Sequence, residues 1–201
     1  LGGEQSGFIN DIGFETYQKI LSEAIDELKE KEFKELYAGT EHEKRSFVKE
    51  TTIDTDFELL FPDNYINNIT ERLSLYNKLS SLNTEEELHQ FEIELIDRFG
   101  ALPKQAKDLL NSIRIKWIAI AMGLERVVMK KQKLVGYFIS DQKSPYYQSD
   151  VFSRVLQFVQ QHPELVTMKE KNTRNGLRLI VSFGSISSIN DALRSIEAFS
   201  A

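Results

Sequence analysis

The apolar residues of this chain change their period at Gly123. From about Asn68 up to that glycine they recur every three or four positions, and directly after it they alternate. A period near 3.6 places one apolar stripe on a helix, and a period of two places one apolar face on a strand. Helices and strands are therefore segregated along the chain. That argues for an α+β fold rather than a parallel sheet wound with helices.

The helical part is punctuated by its own signals. PDNYINNITERLSLYNKLSSL holds a turn and then a helix, with Leu73, Tyr76 and Leu79 expected on the inner face. In NTEEELHQFEIELIDRFG, Asn83 or Thr84 serves as N-cap. Glutamates fill the first turn, where the helix dipole favours them. Gly100 ends that helix and Pro103 opens the next. The next helix runs from about Lys104 to Met122. It becomes apolar on most sides after Ile113, so its second half is expected to be buried. Upstream, TTIDTDFELLFP is partly alternating and β-branched, and predicts a strand stopped by Pro62.

Past Gly123, LERVVMKKQ and KLVGYFIS read as a strand pair and VFSRVLQFVQQ as a helix. ELVTMKEK and GLRLIVSF form a second pair, joined by NTRNG, and SINDALRSIEAF is a final helix. The expected order is a strand, three helices, then a ββαββα half with a mostly antiparallel sheet. Upstream of all this, Phe14 to about Leu36 has helical spacing and becomes very charged toward its end. A polar, aperiodic linker follows. Residues 1–50 and 51–201 are read as two parts.

Composition limits the chemistry. The chain has 201 residues, is 41% apolar and carries a net charge of −6. That balance supports a core and argues against the whole chain being a nucleic-acid binder, although a local basic patch stays possible. No apolar run reaches the ~20 residues that span a bilayer, so no membrane partner is expected. No cysteine is present, which excludes disulfides and thiolate sites. His42, His89 and His162 lie far apart, without metal-ligand spacing. There is no P-loop and no GxGxxG, and GEQSG has its serine in the wrong register for a nucleophile elbow. Neither a catalytic residue nor a metal or cofactor site is expected within these residues.

Two charged features remain. On the 84–99 helix, Glu87, Gln90, Glu94 and Asp97 form a polar stripe opposite Leu88, Phe91, Leu95 and Phe99. Glu94 and Asp97 lie in the last turns, where negative charge is unfavourable by ~0.3–1 kcal/mol each. A solvent-facing helix with Arg98 offsetting that cost is the plain account, and spacing alone favours it. A docking face for a basic partner is the sharper one. The second feature is basic: Arg126, Lys130, Lys131 and Lys133, near Tyr137 and Phe138. It reads either as a nucleic-acid patch or as a solvated hairpin edge whose lysines block further pairing. The edge is favoured.

The opening LGGEQSGFINDIGF resembles the end of the translocase motor in the family of bacterial transcription-repair coupling factors (Mfd). PDNYI, ERLSLYNKL, EELHQFEIELIDRFG and LPKQAKDLL follow in order and resemble that family's C-terminal TRCF domain. The resemblance covers residues 1–30 and about 54–122. It is weak from residue 124 onward.

The resemblance implies the following. Residues 1–50 would be the end of a motor lobe, and GGEQSG a severed end of it. Gln5 would be a remnant of the motif that couples ATP hydrolysis to movement on DNA. Residues 51–201 would be a non-catalytic, autoinhibitory domain that docks on the protein's own UvrB-like module. It would mask UvrA binding until stalled RNA polymerase is engaged, in nucleotide excision repair. Glu94 and Asp97 match the family's acidic pair at that contact, which turns the stripe with Glu87 and Gln90 into an expected interface. ATP and Mg would belong to the full-length parent, in the bacterial cytoplasm. The alternative is a nucleic-acid-binding accessory module built on the hairpin near Lys130.

Overall fold

A computed structural model describes residues 47–173 and 176–200. The expected helix from Phe14 to Leu36, the GGEQSG turn with Gln5, and Asn175 of the second hairpin turn lie outside the described residues. The order of elements matches the order expected from the periods. Strand β1 (Thr52–Thr55) precedes three helices: α1 (Ile69–Ser81), α2 (Glu85–Phe99) and α3 (Lys104–Ala121). Strands β2 (Leu124–Lys130) and β3 (Lys133–Phe138) follow, then a 3₁₀ turn (Pro145–Gln148) and helix α4 (Asp150–Gln161). Strands β4 (Val166–Thr173) and β5 (Gly176–Phe183) and helix α5 (Ile189–Ser200) complete the chain.

The sheet has five strands in the order β1-β2-β3-β5-β4. Among the described strands only the β1–β2 pair is parallel. The fold is therefore α+β with a mostly antiparallel sheet. β1 is shorter than TTIDTDFELLFP implies. Thr55 pairs with Met129, and β2 ends one residue later at Lys130. Beyond Asp56 the chain has no strand left to pair with. Phe57 and Leu59 still alternate, but they do so as irregular chain packed against the sheet core. Alternation reported side-chain burial there, not strand pairing.

The β2–β3 hairpin is interior to the sheet, with β1 outside it. The edge strands are β1 and β4. The lysines of the first hairpin therefore do not guard an edge, contrary to the reading from sequence. The hairpin turns through Lys131 (φ 52°) and Gln132 (φ 58°). Two left-handed residues match the twist of a two-residue hairpin, although neither is glycine. The turn is tied down from outside: the Ile186 N–H donates to the Gln132 carbonyl at 3.1 Å.

Two apolar clusters form among the described residues. One lies under the sheet and contains Ile115, Ala119, Leu124, Val127, Leu134, Val181 and Ile196. The other lies within the helical layer and contains Phe61, Leu75, Leu79, Leu88, Phe91, Leu95, Ala106 and Leu110. Leu79 is buried as expected, but Leu73, also expected inside, is 58% exposed, and Leu75 is buried in its place. α1 has apolar residues on more than one side, so two different stripes fit its sequence equally well.

The junction between helices and sheet is held by Tyr146. Gly123 has φ +77°, a left-handed conformation that side-chain-bearing residues avoid. A Cβ on Gly123 would come far closer to Tyr146 Cε2 than van der Waals contact allows. The Tyr146 hydroxyl donates to the buried Met122 carbonyl at 2.6 Å. Its ring meets Phe138, Phe152, Tyr147 and Phe47. Burial pushes the Tyr146 phenol far above its ordinary pKa, so it stays a neutral donor. We expect Gly123→Ala to destabilise the fold by ~2 kcal/mol or more, from backbone strain plus overpacking. Tyr146→Phe, which leaves the carbonyl without its donor, should cost ~1–3 kcal/mol. Urea unfolding monitored by circular dichroism measures both. A Gly123→Ala protein as stable as wild type would refute the close-approach argument.

Candidate docking face

α2 starts where its sequence places it. Thr84 is the N-cap: its hydroxyl accepts from the Glu87 N–H at 3.2 Å, and the Glu87 carboxylate accepts from the Thr84 N–H at 3.2 Å. This capping box pins the first turn. Glu87 also accepts from the Asn83 N–H at 2.8 Å. Glu87 therefore builds the helix start and is not a free group of the stripe.

Leu88, Phe91 and Leu95 are essentially inaccessible and face the helical core. Each flank of α2 is then fixed by charge. Toward α1, Glu94 accepts from Lys78 and, at 3.3 Å, from Arg98; Arg98 also binds Glu71. The result is a continuous Lys78–Glu94–Arg98–Glu71 ladder. Lys78 lies 5.7 Å from the Phe91 ring centroid, and Arg98 lies 4.9 Å from that of Phe99. Toward α3, Arg114 clasps Glu85 through Nε at 2.9 and 3.0 Å. α2 is thus held on both sides by its neighbours.

What remains is the outward ridge. Glu86, Gln90, Ile93 and Asp97 stand four, three and four residues apart, so they share one helix face. All four are exposed. Among the described residues, none of the three polar members has a side-chain hydrogen bond or ion pair. A shallow open groove of about 740 Å³ runs beside this ridge, between α2 and the end of α1. Its lining includes Lys78, Leu82, Gln90, Ile93, Glu94 and Asp97.

The four residues singled out from sequence therefore split. Gln90 and Asp97 are free on the ridge. Glu94 sits at its flank inside the ladder, and Glu87 belongs to the cap. Sequence reasoning missed Ile93, which is 39% exposed between the acidic groups. Its place opposite Leu88, Phe91 and Leu95 was the available signal: an apolar residue on the polar side of an amphipathic helix. Lys78 was missed because its role depends on how α1 packs on α2.

Hydrogen bonding from Lys78, then its charge and the neighbouring Arg98, hold the Glu94 carboxyl below its ordinary pKa against a smaller opposing effect of burial. A depressed carboxyl contributes stability above its unfolded-state pKa and loses it as pH falls through the folded value. Glu94 is about one-third exposed and Lys78 about half, so the pair is worth ~0.5 kcal/mol. We expect Glu94→Gln to lower stability by about that amount at pH 7, and the difference to vanish in acid below the depressed pKa. Paired urea titrations across pH test this. A constant difference at every pH would show that Glu94 acts by packing alone.

Residues 55–149 match the model of the TRCF domain family. The transcription-repair-coupling factor of Escherichia coli (strain K12) is 37% identical over 128 residues, 63% of this chain and 10% of that protein. That of Rickettsia bellii is 29% identical over 193 residues, 96% of this chain and 16% of that protein. The chain thus spans a small part of these relatives. Among solved structures, a crystal structure of the C-terminal domain of transcription-repair coupling factor superposes with a TM-score of 0.58. The match covers 75% of this chain and 89% of that one at 17% identity, which shows the shared fold.

Proposed function

Because this chain carries a TRCF domain and so belongs to the transcription-repair-coupling-factor family, we propose that it is a non-catalytic regulatory domain docking a basic protein surface through α2. The surface would be the parent's own UvrB-like module. Occupying it would mask UvrA binding until the parent engages stalled RNA polymerase on DNA. Residues 1–50, with Gln5, would be the end of a motor lobe whose ATP and Mg sites lie elsewhere in the parent. Residues 51–201 would be the regulator, working in the bacterial cytoplasm.

One observation carries this reading. Both flanks of α2 are neutralised within the domain, while the ridge of Glu86, Gln90, Ile93 and Asp97 is presented with no side-chain partner among the described residues. Asp97 lies where the helix dipole disfavours a carboxylate. A cation from a partner relieves that cost, and Ile93 supplies an apolar anchor between the charged contacts. Rim charges give specificity and fast encounter without forbidding release. Reversible masking requires that balance, since a switch needs only a few kcal/mol between its two states. Glu94 has a second part in this scheme. Its ladder holds α2 at a fixed position on α1, and the same carboxylate borders the groove that a partner side chain would enter.

Calorimetry of this chain against the separately expressed UvrB-like module tests the proposal. Wild type should bind detectably and more weakly as salt rises. Asp97→Lys should weaken binding about tenfold, or ~1.4 kcal/mol. Ile93→Ala should also weaken it, with the circular dichroism of both variants unchanged. If both variants bind as tightly as wild type, the ridge is a solvated face and the proposal fails.

A further inference from the structure

The helices that pack on the sheet, α3, α4 and α5, contribute to one core cluster, beneath Leu124, Val127, Leu134, Phe138, Val181 and Phe183. Strand residues alternate faces, so the intervening positions point away from that core. Six of them are cations: Arg126, Lys130, Lys133, Lys169, Lys171 and Arg178. The floor between them is apolar. Val128 opposes Val135, and Tyr137 opposes Ile180. Ile180 is only 3% exposed yet belongs to neither helix-covered cluster.

The register puts one row straight across four strands: Arg126, Tyr137, Ile180, Lys169. With ~4.8 Å between strands, the two cations of that row stand ~14 Å apart, with the ring and the aliphatic side chain between them. The Tyr137 ring has a cation at either hand: the Arg126 guanidinium at 5.8 Å and Lys171 Nζ at 5.9 Å. Two carboxylates offset part of the charge. Asp54 pairs with Arg126 and Lys130, both at 2.6 Å, and Glu125 pairs with Arg178 at 2.9 Å. Lys133, Lys169 and Lys171 have no ion pair among the described residues. A cationic face of this kind stands out on a chain whose net charge is −6.

We infer that this sheet face, which no helix among the described residues packs against, binds single-stranded nucleic acid, with a base stacked on Tyr137 and phosphates held by Lys169, Lys171 and Lys133. The chemistry selects this ligand class. Unpaired lysines at strand spacing attract a polyanion, and a half-buried ring on an apolar floor offers a stacking platform to a flat, unpaired base. A duplex keeps its bases stacked inside and offers the ring nothing but its backbone. An acidic peptide would satisfy the lysines but has no use for the ring.

Fluorescence anisotropy of the whole chain with a labelled oligothymidylate of about twelve nucleotides tests the inference. Binding should be saturable at low salt. Its log–log salt slope should be near −2, as three phosphate contacts to a single strand require. Lys169→Glu with Lys171→Glu should weaken binding at least tenfold. Tyr137→Ala should weaken it about fivefold or more, and Tyr137→Phe should restore it. A duplex of equal length should bind more weakly, and poly-glutamate should not compete. Three results would each overturn the inference: no binding at low salt, full affinity in the lysine double variant, or equal competition by poly-glutamate, which would make the face an acidic-protein site. Circular dichroism of each variant separates lost binding from lost fold.

Discussion

Helix α3 belongs to both cores of this domain at once. Its first half buries Ala106 and Leu110 among the helices, and its second half buries Ile115 and Ala119 beneath the sheet. At 1.5 Å per residue its 18 residues extend ~27 Å, enough to reach from one core into the other. Everything else is arranged on that rod. α1 and α2 cover its first half, and the sheet takes its second half. Gly123, directly beyond its last turn, lets the chain reverse beneath Tyr146.

Division of the apolar surface between two cores gives the molecule two chemically different exteriors. The helical layer presents a ridge rich in carboxylate, whose flanks are closed by ion pairs. The sheet presents lysines and arginines around one aromatic ring. The two do not neutralise one another, because each forms its ion pairs locally: Glu94 with Lys78 and Arg98 in the helices, Asp54 with Arg126 and Lys130 on the sheet. A net charge summed over the chain hides this polarity, which is why composition argued against a nucleic-acid partner while the register assembles a cationic face.

Sequence patterns carried the order of elements, because periods of 3.6 and two are imposed by burial on one side. The caps of α2 were equally readable, since Thr84, Glu87 and Gly100 act through local backbone geometry. Legibility stopped where a residue's role depends on a distant partner. β1 was drawn too long because its end is set by where β2 stops, about seventy residues further on. Glu94 was read as an open acid because Lys78 meets it only after α1 packs on α2. The hairpin lysines were placed at an edge because nothing in their own stretch reveals that β1 lies outside them. Family resemblance pointed to Glu94 and Asp97 together; the geometry gives them different work.

The parallel pairing of β1 with β2 has a consequence for how the chain acquires its structure. Thr52–Thr55 can meet Arg126–Met129 only after α1, α2 and α3 have been gathered between them. The contacts within the helical layer link residues much closer in sequence, and closing short loops costs less entropy than closing long ones. On loop-closure entropy alone, the acidic helix should reach its setting before β1 joins the sheet, so the ridge on α2 should form before the domain's entry strand is fixed.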